Sequence, residues 1–168
     1  LDAGKDGNGM QIGGLGGVVN IAGGIGISTT GSVLALSKDT AATAIRIGSG
    51  AATPELRNAG KIDATTAGNA ANSIATAVLV EAGGDVPLIR NSGSITAKTG
   101  GDNGTARAIV DLSGKVGTVE NSGTISATGA LASSDRNIAI DLSANNTGAT
   151  VKQTAVAAGV TAPSIIGD

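Results

Sequence analysis

A three-sided, all-β solenoid of about five coils is the fold this sequence predicts, and three observations predict it. The chain of 168 residues has no Phe, Trp, Tyr, Cys or His and carries 28 Gly. Without aromatic side chains, which bury the largest apolar areas, the interior must be a narrow one filled by Ile, Val, Leu and Ala. The second observation is a repeat with a period of about 30 residues. The third is that every period holds three short stretches in which apolar and polar residues alternate, none long enough to bury its apolar face alone. Stacking each stretch on its counterpart one period away, about 4.8 Å along an axis, turns the inward residues into continuous aliphatic columns.

The elements follow in order around one period. After a polar corner comes a strand whose inward residues are Val33, Ile62, Ile95 and Ile125, about 30 residues apart. Before the corner runs a second row, Ile27, Leu56, Ile89, Val119 and Val151. The third row lies in "VVNI", "AIRI", "AVLV", "IVDL" and "AIDL", with Val19, Ile45, Val78, Val110 and Ile140 each followed two positions later by an inward Ile21, Ile47, Val80, Leu112 or Leu142. In this register Ile125 has Ile95 above it and Val156 or Ala157 below. Residues 1–17 read as an irregular N-terminal segment or partial coil, 18–160 as the solenoid, and 161–168 as the end of the last coil or the start of the next. A helical reading of the Ala-rich parts fails on the Gly content and on the lack of a 3.6-residue period.

The corner recurs as "RNAGKIDATTAG" from Arg57, "RNSGSITAKTG" from Arg90 and "ENSGTISATG" from Glu120. A turn within two or three residues suits Asn, which tolerates the left-handed conformation, and Gly, which accepts positive φ without steric cost. Asn58, Asn91 and Asn121, with Gln153 next, then lie one above another and point inward, so their amides form a structural hydrogen-bonded ladder. Pro54 and Pro87 share a row where a strand begins and no ladder donor is lost.

The Asn-Ser-Gly-Thr-Ile run at 121–125, followed by a loop and "IAIDLS" at 138–143, resembles the repeats of autotransporter passenger domains, in particular the adhesin-like members. The resemblance covers residues 27 to about 160 and departs from the pattern at "TTGSV" and "KQTAV". It implies a right-handed parallel β-helix, secreted across the inner membrane and through an outer-membrane barrel formed by the C-terminal part of the same precursor, then displayed at the bacterial cell surface. Similar repeats occur in filamentous exoproteins and surface-layer proteins. Because the chain starts at Leu1, it is expected to be a piece of a longer precursor.

Residue chemistry narrows the function. With no His and no Cys there is no Ser-His-Asp triad, thiol nucleophile or His-ligated metal. The formal charge of −2 comes from scattered residues without a basic stripe, which argues against nucleic acid. Asp111 and Asp141 are expected outward on neighbouring coils, a weak calcium pair or, in a carbohydrate-active β-helix enzyme, a carboxylate pair; two solvated acids are the plainer reading. "DAGKDGNG" and "GGDNGT" offer Asp2, Asp6, Asn8, Asp102 and Asn103 as oxygen donors without a calcium-loop spacing, so they read as corner loops. The outward row Arg57, Arg90, Glu120, Lys152 alternates in sign over its last three members and reads as register control. No catalytic residue and no cofactor is assigned. The leading expectation is a non-enzymatic surface scaffold or adhesin with host or bacterial surface molecules as partners. The alternative is a structural subunit of an extracellular filament or surface layer, its coils stacking end to end on further coils or identical copies.

Overall fold

The computed structural model describes residues 7–168. Among them the chain forms strands and turns without helix, arranged as a β-solenoid of about five turns with a period of about 31 residues. Three five-stranded parallel sheets make its sides. The first stacks β1 (Gly7–Ile12), β5 (Ala42–Ile47), β9 (Ile74–Val80), β12 (Thr105–Asp111) and β15 (Asn137–Asp141). The second stacks β3 (Ile25–Ile27), β7 (Leu56–Asn58), β10 (Leu88–Asn91), β13 (Thr118–Asn121) and β16 (Thr150–Gln153). The third stacks β4 (Ser32–Ser37), β8 (Lys61–Thr66), β11 (Ser94–Lys98), β14 (Thr124–Thr128) and β17 (Ser164–Ile166). A short pair, β2 (Val19–Asn20) and β6 (Ala51–Ala52), lines one corner.

Each sheet contributes one aliphatic column to the core. Val33, Ile62, Ile95, Ile125 and Ile165 are successive partners in the third sheet. Ile25, Leu56, Ile89, Val119 and Val151 fill the second, and Met10, Ile45, Val78, Ile109 and Ile140 the first. Five positions differ from the sequence reading. Ile25, not Ile27, belongs to the aliphatic row, because Ile27 pairs with Asn58. Met10, not Val19, opens the first-sheet column, since Val19 pairs with Ala51 on the short strand. Ile109, not Val110, continues that column, and Leu112 is 51 % exposed rather than inward. The neighbour of Ile125 is Ile165 instead of Val156 or Ala157, because residues 154–163 form a long connection before β17.

The slip at Val110 has a physical origin in the first sheet. Its strands carry two consecutive buried residues, Ala44 with Ile45, Ala77 with Val78 and Ala108 with Ile109. Strict alternation is broken there, and side chains three apart meet on the outer side, as when Asn8 Nδ2 donates to Gln11 Oε1 at 2.9 Å. Thr76 and Val110, both on that outer side, are accordingly buried. Only a small residue fits the break. At the equivalent Gly9 an added Cβ would come within 2.8 Å of the Ala44 carbonyl oxygen. The similar Asp-Leu-Ser stretches at 111–113 and 141–143 are one residue out of step because Val110 stands between Ile109 and Asp111, whereas Asp141 follows Ile140 directly, which sets Val110 opposite Asp141. One residue of slip exchanges inside for outside.

Ile125 is fully buried between Ile95 and Ile165. Ile125→Asp places an unpaired charge in that column and is expected to cost several kcal/mol, about 3–5. Thr128→Asp, at an exposed position of the same strand, is expected to stay within about 0.5 kcal/mol of the parent. Thermal melting followed by circular dichroism checks both.

Candidate functional site

The polar corner between the second and third sheets is built from the Asn row. Asn58, Asn91 and Asn121 are buried, each at the inward end of its strand. Asn58 Nδ2 donates to Asn91 Oδ1 at 2.8 Å, Asn91 Nδ2 to Asn121 Oδ1 at 2.9 Å, and Asn121 Nδ2 to Gln153 Oε1 at 3.2 Å. These pairs lie 33, 30 and 32 residues apart in sequence. Each Nδ2 also reaches a carbonyl of the next coil, at Ser94, Thr124 and Ser164. Oδ1 of Asn58 and of Asn121 accepts the N–H of Gly60 and Gly123 in its own turn, closing the corner. Every amide is thus engaged within the stack, which leaves the row a structural one.

The glycines of this corner serve a purpose other than the expected left-handed turn. Gly60, Gly93 and Gly123 are not among the positive-φ residues, and neither are the corner asparagines. Instead the backbone of one coil lies against the next. A Cβ on Gly93 would stand 2.1 Å from the Gly60 carbonyl oxygen, and one on Gly123 2.1 Å from that of Gly93. No side chain fits such a gap.

Outside the same sheet runs a charged row. Arg90 faces Arg57 on one side and Glu120 on the other, and Glu120 faces Lys152. Arg90 Nε is 3.2 Å from Glu120 Oε2 and 3.7 Å from Glu55 Oε2, while Glu55 also takes Arg57. Glu55, which sequence reasoning missed, separates two guanidinium groups that would otherwise repel at neighbouring-coil distance. It stands in the corner before the strand, off the alternating pattern, so no row position marked it. A shallow groove of about 250 Å³ lies beside this row, lined by Arg57, Arg90 and Glu120 together with Ser92 and Ser122. Its charges are spent on one another.

The proposed calcium pair does not exist as a pair. Asp111 is fully buried, not outward, and its carboxylate accepts the N–H and Oγ–H of Ser113, at 2.8 and 2.6 Å, and the N–H of Val116 at 3.0 Å. It occupies the position held one coil earlier by Val80 and folds the turn from the inside. Asp141 sits elsewhere, opposite Val110, where the Ser143 hydroxyl first, and then its N–H and the Arg107 charge, hold its carboxyl below the ordinary value. Both oxygens of Asp111 are engaged in its own turn, and Asp141 is the cross-strand partner of Val110 rather than of Asp111. Of the loop donors, Asp2 and Asp6 lie outside the described residues. Asn8 bonds to Gln11. The Asp102 carbonyl accepts Leu131 N–H and Arg136 Nη1, and Asn103 N–H donates to Asn69 Oδ1, so the stacked corner loops hold one another. Among the described residues no three acidic side chains converge as metal ligands would.

A further carboxylate, Asp168, escaped the sequence reading. It accepts Asn137 Nδ2 at 3.0 Å and the backbone N–H groups of Ser134, Arg136 and Asn137. Those bonds, the Asn137 amide foremost, hold its carboxyl at about 2. What this contact adds to stability is present above the ordinary carboxylate range and is lost as pH falls toward that value.

No family model, no curated protein and no solved structure matches this chain.

Asn91→Ala leaves the Asn58 amide and the Asn121 carbonyl oxygen short of a buried partner, and the expected loss is about 2–4 kcal/mol. Asn91→Asp puts an acceptor where Asn121 Oδ1 and the Thr124 carbonyl require a donor. Burial and those acceptors raise the new carboxyl's pKa, so its charged form is penalised at neutral pH and relieved as pH falls. Melting curves of parent and Asn91→Asp at pH 7 and pH 4 should show a deficit that is larger at pH 7.

Proposed function

We propose that this chain is a non-enzymatic segment of a rigid scaffold or adhesin displayed at a bacterial cell surface. The observation that carries the reading is the use to which the polar groups are put. Asp111 closes a turn, the asparagines bond to one another, and side chains of the outer rows pair between coils, Arg90 with Glu120 as an ion pair and Thr96 Oγ1 donating to Asp63 at 2.7 Å. Chemistry-bearing residues are thereby committed to holding coils together, which suits a stiff spacer that carries binding parts outward. A sequence without His or Cys supports the same side of the choice between scaffold and enzyme. Display by an autotransporter-type route rests on the resemblance of the Asn-Ser-Gly-Thr-Ile corner to passenger repeats, a fold-level analogy.

Surface exposure is tested by treating intact cells of the organism that encodes the chain with a protease. Peptides from residues 7–168 are expected in the supernatant before any cytosolic marker is released. Release of those peptides only on lysis contradicts the proposal.

A further inference from the structure

Two of the eleven asparagines are followed two positions on by a hydroxyl residue, Asn103 in "NGT" and Asn145 in "NNT". Asn-X-Ser/Thr, with X other than Pro, is the acceptor pattern for attachment of a sugar to the Asn carboxamide. The fold treats the two copies differently. Asn145 is half-buried, its Nδ2 donates to the Val116 carbonyl of the preceding coil at 3.0 Å, and its Oδ1 accepts the N–H and Oγ1–H of Thr147 at 2.9 and 3.1 Å. Both ends of that carboxamide are in use, and the Thr147 hydroxyl is turned to its oxygen rather than its nitrogen.

Asn103 stands in the corner between β11 and β12 and is exposed. The backbone of its motif is held at every residue. Asn103 N–H donates to Asn69 Oδ1 at 2.9 Å, Gly104 N–H to the Gly101 carbonyl at 3.0 Å, and Thr105 N–H to the Ser73 carbonyl at 2.9 Å. Gly104 is buried against Thr99, whose side chain takes the place a Cβ would need, so the turn rests inward on its glycine while Asn103 meets solvent. Among the described residues no hydrogen bond engages the Asn103 carboxamide or the Thr105 hydroxyl. That sets Asn103 apart from the ladder asparagines, whose amides are all spent on the stack.

We infer that Asn103 is an N-glycosylation site and Asn145 is not, the donor being a sugar activated at its anomeric carbon by a phosphate leaving group. Nδ2 bonds to the anomeric carbon, the bond from that carbon to the phosphate oxygen breaks with its electron pair going to the phosphate, and Nδ2 releases one proton. Nothing is oxidised or reduced. A sugar on this corner lies off the three sheets and clear of the aliphatic columns, so the coils stack as before. The inference rests on the loop and not on the surface-scaffold reading. An unmodified Asn103 in peptides freed from intact cells would sink the inference and leave surface display standing.

For the test, the protein isolated from the organism that encodes it is cut with trypsin after Lys98, Arg107, Arg136 and Lys152, which separates the two motifs into peptides 99–107 and 137–152. Mass spectrometry should find 99–107 heavier by a sugar, with fragmentation placing it on Asn103, and 137–152 at its unmodified mass. A single sugar points to a nucleotide-linked donor and a preassembled chain to a lipid-linked one, and either supports the proposal. Thr105→Ala keeps the Asn103 carboxamide and removes the hydroxyl, and in the same organism it should abolish the addition while circular dichroism shows the parent fold. An unmodified 99–107 peptide, a sugar on Asn145 at equal or greater occupancy, or a sugar that persists on Asn103 in Thr105→Ala would each overturn the proposal.

Discussion

The spacing of the coils is the constraint on which the rest of the structure depends. Parallel backbone ladders hold successive coils about 4.8 Å apart, and at the Asn-Ser-Gly corner that distance brings main chain onto main chain. The carbonyl oxygens of Gly31, Gly60 and Gly93 stand 2.2, 2.1 and 2.1 Å from where the Cβ of the next coil's residue would be. Glycine there is a consequence of stacking and not of turn conformation. The same spacing makes the columns continuous, sets Asn on Asn within hydrogen-bond reach, and places charges of consecutive coils in contact.

A narrow interior bears polar groups only where each one is answered. The Asn row meets that demand by translation, since an amide carries both donor and acceptor and each copy can serve the next. Asp111 meets it differently, with an acceptor-only group turned toward three donors of a single turn. One coil uses Val80 at this position and the next uses Asp111, so an aliphatic contact is exchanged for a turn closed by hydrogen bonds. Function-like residues in this sequence are thus largely explained by the fold, and the outer rows by pairing between coils.

The sequence made the period, the three-sided section and most of the inward rows legible, because aliphatic residues repeat at the same corner distance in coil after coil. It made the Asn ladder legible for the same reason. It misled at Val110 and Asp111, where two stretches reading Asp-Leu-Ser invite alignment while the extra Val110 between Ile109 and Asp111 sets them one residue apart. It misled at Ile27, where a Gly between two isoleucines left both equally eligible for the column. Glu55, Ser113 and Asp168 were silent because they act from turns, which have no periodicity to reveal them. The length of the 154–163 connection hid Ile165 in the same way.

The claim that coil spacing dictates these residues is tested most directly by comparing two glycines with different surroundings. Gly93 has backbone within 2.1 Å of its missing Cβ, whereas the nearest atom to that of Gly117 is the Pro87 carbonyl oxygen at 3.7 Å, an ordinary contact. Unfolding free energies of Gly93→Ala and Gly117→Ala, measured in denaturant against the parent, decide the matter. The account predicts a loss of several kcal/mol, about 2–4, for Gly93→Ala and a change between nil and a gain of about 1 kcal/mol for Gly117→Ala. Equal effects of the two substitutions would contradict it.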